Sequence, residues 1–391
     1  MKKAFLILTV LLSLSVSRLC SQAGNDTLVY LLTCGTGTET YSIYGHSAIR
    51  LVIPQSKVDM VYNWGVFDFE TPNFAWKFAK GRLDYMLAEE SMKGFLQVYY
   101  FEKRYVQCQR LNITPGETAR LVSLIEENLK PENINYRYDF FYDDCSTRIR
   151  DIIEKSVGTK LLYPPEGGGK SPTFRMMVGK YQEHFPWLNL GIDLLMGVTS
   201  DKQASFRDRM FLPIDLQKEL SEAVVNRDGK MIPLLQNPDL ILDFDPPAVK
   251  QSFLTFPAFI FTILLIIVLI LSSSVKNARI IKWFDILVFS VFSVLAGLMI
   301  FFNFFTDHHQ MRMNLNILWL NPVIIIGLAL IILNKTGFVW FRVLFYLLAA
   351  FLVIHIILPQ SFNIAIIPLV LIILIRSSVR AGFEWNPLSL K

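Results

Sequence analysis

Apolar residues follow two patterns along this chain. From Phe256 onward they run almost without interruption, in the segments Phe256–Leu271, Trp283–Phe305, Leu315–Leu333, Phe338–Leu358 and Phe362–Ile375. A membrane-crossing helix needs about 20 such residues, so these runs predict an all-α bundle of about five transmembrane helices, the last of them short. Ahead of them the pattern is that of an exported α+β domain. Thr27–Thr33, His46–Ile53, Val58–Trp64 and Leu96–Asn112 are rich in Val, Ile and Tyr, with turn residues between them, and read as strands. Thr114-Pro-Gly-Glu117 predicts a helix start, with threonine as cap, proline in the first turn and glutamate closing a capping box. Leu121, Leu124, Ile125 and Leu129 line one face of that helix, and Pro131 ends it. Tyr136–Tyr142 reads as extended. Ser146–Val157 reads as a second helix, striped by Ile149, Ile152, Ile153 and Val157 and closed by Gly158. Residues 159–250 are mixed, and no internal repeat is evident.

The N-terminus adds a leader. Met1–Lys3 is positive, Ala4–Val16 is apolar, and Ser21-Gln22-Ala23 offers small residues at a cleavage site, which predicts a secretory signal over residues 1–23. The division expected is then signal, exported domain over 24–255, and membrane domain over 256–391. Loop charges orient the spans. Lys276, Arg279 and Lys282 follow the first, Lys335 and Arg342 flank the link from third to fourth, and Arg376, Arg380 and Lys391 follow the fifth. The intervening turns carry only Arg312, so alternate loops are basic, and residues 24–255 are placed outside. The expected location is a multi-pass protein of a bacterial inner membrane, with its N-terminal domain in the periplasm.

Composition agrees: 52% of the 391 residues are hydrophobic and 18% charged, which excludes a disordered or fibrous chain. The net charge of +5 comes from membrane-flanking segments, because residues 24–255 are mildly acidic. No basic-aromatic patch suggests nucleic acid as a partner.

Cys34, Cys108 and Cys145 would survive export, an odd number in an oxidising space. Cys34 with Cys108 is a possible disulfide, which leaves Cys145 free. Cys145 stands where a helix begins, and unpaired backbone N–H groups there favour a thiolate and can receive an oxyanion. A cysteine nucleophile needs a base. His46, at the start of a strand in Tyr44-Gly-His-Ser-Ala-Ile-Arg50, is the candidate, and Asn63 on the next strand is the candidate for orienting it. The competing reading is a buried packing cysteine beside a structural histidine.

These residues resemble a known group. His-Ser-Ala-Ile-Arg, then Tyr-Asn-Trp, then Asp-Cys-Ser-Thr is similar to a circularly permuted papain-like (NlpC/P60-type) domain. More closely, Tyr44–Leu51, Val61–Phe69, Gly81–Leu87, Tyr136–Ile153 and Met210-Phe-Leu-Pro213 resemble the Lnb-type lipoprotein N-acyltransferases. The resemblance implies transfer of a fatty acyl chain from a membrane phospholipid, through a cysteine thioester, to the α-amino group of a diacylglyceryl-cysteine lipoprotein. It implies Cys145 as nucleophile, His46 as base then acid, and Asn63 as orienting residue, with no cofactor. Asn63 stands where the related retinol acyltransferases have a second histidine.

Further residues are candidates for substrate contact. Tyr44, Arg50, Tyr142 and Arg148 flank the site; the two arginines suit a phosphate, or pairing with nearby acids. His308 and His309, in an exported turn, suit a lipid headgroup, whereas adjacent side chains diverge too much to predict a metal. Glu166-Gly-Gly-Gly-Lys-Ser171 resembles a phosphate loop, but Pro164 replaces its first glycine, and it reads as a loop over the cleft. Two other functions fit parts of the pattern: a membrane-tethered peptidoglycan amidase or endopeptidase, and a non-enzymatic envelope module.

Overall fold

The structure is a computed structural model and describes residues 26–165, 169–246 and 252–383. The expected leader, with Cys20, and the first three residues of the Glu166–Ser171 loop lie outside the described residues, as does Lys391. The chain divides into two compact units. One combines the residues up to Pro172 with Ala204–Ala248. The other combines Thr173–Gln203 with Val249–Lys391.

The first unit is built on a seven-stranded sheet. In chain order its elements are β1 (Leu28–Cys34), β2 (His46–Ile53), β3 (Val58–Val66), α1 (Phe74–Ala79), β4 (Asp84–Ser91), α2 (Met92–Phe101) and β5 (Val106–Arg110). There follow α3 (Pro115–Leu129), β6 (Asn135–Arg137), α4 (Cys145–Val157), β7 (Leu161–Leu162), and, after Ala204, α7 (Pro213–Glu222), β8 (Val224–Arg227), β9 (Lys230–Pro233) and β10 (Asp239–Leu242). The sheet runs β10-β5-β1-β2-β3-β4-β6, and all its pairings are antiparallel. β7, β8 and β9 form a small second sheet.

Alternation along the strands separates two cores. Val29, Leu31, Ile49, Leu51, Tyr62 and Trp64 face α3, α4 and α7 through Leu121, Ile125, Ile149, Ile153, Leu216 and Leu220. Leu32, Cys34, Ala48, Val61, Val106 and Cys108 face α2 through Met92, Phe95 and Tyr99. The expected strand over Leu96–Asn112 is therefore wrong in its first half. That half belongs to α2, whose cap Ser91 accepts from the Gly94 N–H, and β5 begins only at Val106. Met92, Phe95 and Tyr99 recur at helical spacing, so the β-forming tyrosines sit on a helix because its buried stripe, not local propensity, decides. α3 begins at Pro115 with both halves of the Thr114–Glu117 capping box present.

The second unit contains α5 (Phe174–Tyr181) and α6 (Pro186–Leu195), then α8 (Pro257–Ser274), α9 (Ala278–Phe304), α10 (Val323–Ile332), α11 (Phe338–Ile354) and α12 (Ile366–Arg380). Among the described residues, three helical segments are long and apolar enough to cross a membrane, and a fourth if the bent pair His309–Leu318 and Val323–Ile332 counts as one span. That pair is bent by 54°. Pro322 interrupts the expected span Leu315–Leu333, since proline removes a helical N–H and clashes with the preceding turn. Arg376, expected beyond the fifth span, lies inside α12. It is buried and donates from Nε to Asp285 of α9 at 2.6 Å, with Arg380 on the other carboxylate oxygen at 2.5 Å. A charge pair recovers what an apolar surrounding denies a lone ion. Outward-facing Ile263, Ile267, Leu287 and Val294 leave an apolar surface suited to lipid.

Arg175 of α5 organises the segment before the helices. Its guanidinium is 7% exposed and reaches Asp201 (3.0 Å), Asp193 (3.1 Å) and the carbonyls of Met196 and Gly197. Asp193 also accepts from Asn363, and Asp201 from the Ser361 N–H.

Candidate active site

Two glycines shape the end of the sheet that carries His46 and Asn63. Gly45 has φ +79°, and a Cβ there would lie 2.7 Å from the Cys34 carbonyl oxygen. Gly65 has φ +91° at a bulge in β3, and a Cβ there would meet the Cys145 Cβ at 3.9 Å. Both positions favour glycine, and the second lets the start of α4 come close to β3.

His46 opens β2 and sits opposite Cys34 of β1 in register. The pairing of Ile49 with Tyr62, continued one step, sets Asn63 opposite Ala48, on the face that His46 shares. His46 Nε2 is hydrogen-bonded to Asn63 Oδ1, and Asn63 Nδ2 donates to Glu90 Oε1 at 3.3 Å. Glu90 lies on β4 opposite Val61. Its carboxylate accepts only, which orients the amide. An amide oxygen likewise only accepts, so Nε2 carries the imidazole proton and Nδ1 holds the lone pair. Burial, followed by the positive charge of Arg104, moves the His46 pKa below its ordinary value; the hydrogen bond to Asn63 opposes this without reversing it. The imidazole is thus neutral at pH 7.

Cys145 is the first residue of α4. Asp144 caps that helix, accepting from the Thr147 N–H at 2.8 Å while its own N–H donates to Thr147 Oγ1 at 2.7 Å. Cys145 Sγ lies 3.8 Å from Ser146 Oγ, and the nearby backbone N–H groups of Ser47 and Ser146 act to lower its pKa. Ser47 follows His46, so the thiol lies against the same short piece of β2 that carries the imidazole. A thiolate favoured by the helix start is the expectation; in the structure burial outweighs those N–H donors and raises the thiol pKa. Thiol and imidazole are therefore both neutral at rest, and deprotonation has to accompany attack.

The other cysteines differ. Cys34, pushed up to about 12 by burial, and Cys108, also raised by burial, are buried packing residues, whereas Cys145 is half-buried. Cys34 and Cys108 are free thiols. Their strands pair Cys34 with Val106 and Leu32 with Cys108, which leaves the two cysteines diagonal, about 7 Å apart and too far for a relaxed disulfide.

His46, Asn63, Gly45 and Gly65 line a cavity of about 260 Å³ together with Tyr41, Val66, Val98, Tyr99, Glu102 and Arg104. A larger depression of about 520 Å³ runs from Lys57 to Met60 and along Glu89–Lys93, and neither cysteine nor histidine lines it. Glu90, Glu102 and Arg104 escaped the sequence reading, because strand pairing and the α2–β5 turn, rather than any motif, bring them to His46.

The remaining candidates lie apart from that chain of hydrogen bonds. Arg50 makes two 2.7 Å bonds to Asp59, about 13 Å along β2 from His46 at the rise of a strand. Arg148 pairs with Asp143 at 2.6 and 2.9 Å and lies 3.6 Å from the Tyr136 ring centre. Both arginines thus take the acid pairing that was one of their two readings. Tyr44 packs on Phe140 (5.0 Å), and Tyr142 is half-buried, its N–H donated to Asp139. His308 and His309 belong to the second unit, where the carbonyl of His309 accepts from Thr199 at 2.9 Å. Among the described residues, no group of three or more His, Cys, Asp or Glu side chains is placed to hold a metal ion.

Comparison with known sequence families gives two matches. Residues 20–175 match the Lnb N-terminal periplasmic domain, and residues 248–384 match the Lnb transmembrane domain. No curated protein and no solved structure matches the chain.

Proposed function

The chain belongs to the Lnb family, and from that premise we propose that it is a lipoprotein N-acyltransferase whose nucleophile is Cys145. The family places it among membrane-associated proteins that handle lipoproteins, with a periplasmic N-terminal domain. Strand histidine, next-strand asparagine and helix-start cysteine follow in the order of a permuted papain-like domain. Five membrane spans, with residues 24–255 outside, complete the reading.

The observation that carries it is the His46 Nε2–Asn63 bond, which leaves Nδ1 as the basic atom on the residue before Ser47, whose N–H acts on the Cys145 thiol. In the proposed reaction Nδ1 takes the Cys145 proton as sulfur attacks an ester carbonyl of a phospholipid. The C–S bond forms, and the carbonyl electrons move to oxygen, held by backbone N–H groups at the start of α4. They return as the C–O bond breaks, and the lysophospholipid leaves as an alcohol with the His46 proton. The free α-amine of a diacylglyceryl-cysteine lipoprotein then attacks the thioester. Its proton passes through His46 to the departing sulfur, which yields an amide and restores the thiol. Sulfur is the better leaving group, so the intermediate suits an amine acceptor. His308 and His309 are proposed to receive a headgroup; unchanged transfer after replacing both with alanine would remove them.

The test supplies purified full-length protein with phospholipid and a diacylglyceryl lipopeptide, followed by mass spectrometry. A third acyl chain from wild type and none from Cys145→Ser is expected, with a hydroxylamine-labile acyl group on Cys145. Equal transfer by both proteins would falsify the assignment. Altered wall peptides with unchanged lipoprotein mass would replace it by a peptidoglycan hydrolase.

A further inference from the structure

The cavity beside His46 carries charged groups that the transfer scheme does not use. Arg104 is 5% exposed. Its Nε donates to the Gly35 carbonyl at 2.7 Å, its Nη1 to Glu102 Oε2 at 2.7 Å, and its guanidinium lies 4.8 Å from the Tyr99 ring centre. Nη2 is buried and has no hydrogen-bond partner among the described residues. A buried guanidinium N–H without an acceptor is costly, and the fork of donors fits a phosphate or carboxylate oxygen. Glu102 is placed differently. Its side chain is 30% exposed, and among the described residues its second oxygen accepts only from the exposed Tyr41 hydroxyl, at 3.3 Å. One wall of the cavity therefore offers a cation at depth and an anion nearer its mouth.

We propose that Arg104 and Glu102 form a subsite for a zwitterionic phosphodiester headgroup. Arg104 Nη2 takes a phosphate oxygen, and the Glu102 carboxylate takes the headgroup ammonium. A phosphodiester bearing a neutral alcohol, as in phosphatidylglycerol, would satisfy Arg104 but offer the Glu102 carboxylate no cation. This proposal rests on the phospholipid-donor reading above and narrows it to phosphoethanolamine-type lipids.

The experiment supplies the full-length protein with equal amounts of phosphatidylethanolamine and phosphatidylglycerol, carrying different isotopic labels on identical chains, and reads the label on the lipopeptide. A preference of about tenfold for the ethanolamine lipid is expected, on the scale of one charge-assisted hydrogen bond. Glu102→Gln should bring the ratio close to one, and Arg104→Gln should lower transfer from both lipids, with Arg104→Lys restoring part of it. Glu102 is partly exposed, so its variant tests the site even where Arg104→Gln folds poorly. A parallel readout uses native mass spectrometry of Cys145→Ala protein with the same lipid pair. Transfer without headgroup preference, or a preference that Glu102→Gln leaves intact, overturns the subsite and spares the acyltransferase. Glu102-dependent retention of the ethanolamine lipid by a protein that transfers nothing keeps the subsite and overturns the acyltransferase. Neither transfer nor such retention overturns both.

Discussion

Arg104 in the first unit and Arg175 in the second are almost equally buried, yet they are partnered differently. Arg175 spends Nε and both Nη atoms on two carboxylates and three backbone carbonyls. Among the described residues Arg104 satisfies Nε and Nη1 only. The same contrast separates the networks around them. The one at Arg175 closes on itself and stitches α5 and α6 to the loops after α9 and α11. The one at His46 runs from Glu90 through Asn63 to an imidazole nitrogen that still holds its lone pair. A closed buried network holds a fold together, whereas one that ends on reactive or unfilled atoms tolerates a cost that a ligand can offset.

The sharpest way to break this comparison is at sulfur. Cys145→Ala is expected to lower acyl transfer by at least about four orders of magnitude without moving the unfolding midpoint, and activity assays alongside thermal scans check both parts. The opposite pattern is expected for Arg175→Met. It strands Asp193 and Asp201, so a loss of about 3–5 kcal/mol should appear in unfolding. Variant protein that still folds should keep its pH–rate profile, and a changed profile would join Arg175 to the chemistry.

Asn63→Ala is expected to lower kcat by about a hundredfold, because the imidazole loses its tautomer and its aim. Recovery in Asn63→Gln is the accompanying check on positioning. pH sharpens the point further. A His46 pKa below 6.5 keeps the base neutral at pH 7, so kcat/KM should stay level from neutral pH upward and fall only as pH drops below that value. The raised thiol pKa predicts that iodoacetamide labels Cys145 slowly at pH 7 and faster as pH climbs past 9. Rapid labelling at pH 6 would instead mean a resting thiolate–imidazolium pair. The smallest effect belongs to Thr114→Ala, which removes one helix cap remote from the site and should cost about 1 kcal/mol with unchanged kinetics.

Much of the site was readable as residue types. His46 beside Gly45, Asn63 one strand later, and Cys145 just after the capping Asp144 are local signals, each set by the strand or helix terminus on which it falls. Glu90, Glu102 and Arg104 carry no such mark. Glu90 reaches Asn63 only because β3 and β4 pair in one register, and Arg104 reaches the cavity only because α2 turns the chain back into β5. The error over Leu96–Asn112 has the same origin: Tyr99, Tyr100 and Phe101 favour a strand locally, and the stripe that makes them helical starts earlier, at Met92.

By itself the sequence determined the division into a strand-and-helix region and a run of apolar helices, since hydrophobic periodicity and length act within one element at a time. It also determined the caps of α3 and α4, whose partners lie within three residues. The tertiary structure alone decided the protonation of the site. Whether Cys145 is a thiolate or a thiol depends on burial against helix N–H groups, and burial is a property of the packed chain. It likewise decided how completely each buried arginine is partnered among the described residues, because most of those partners come from distant strands and helices.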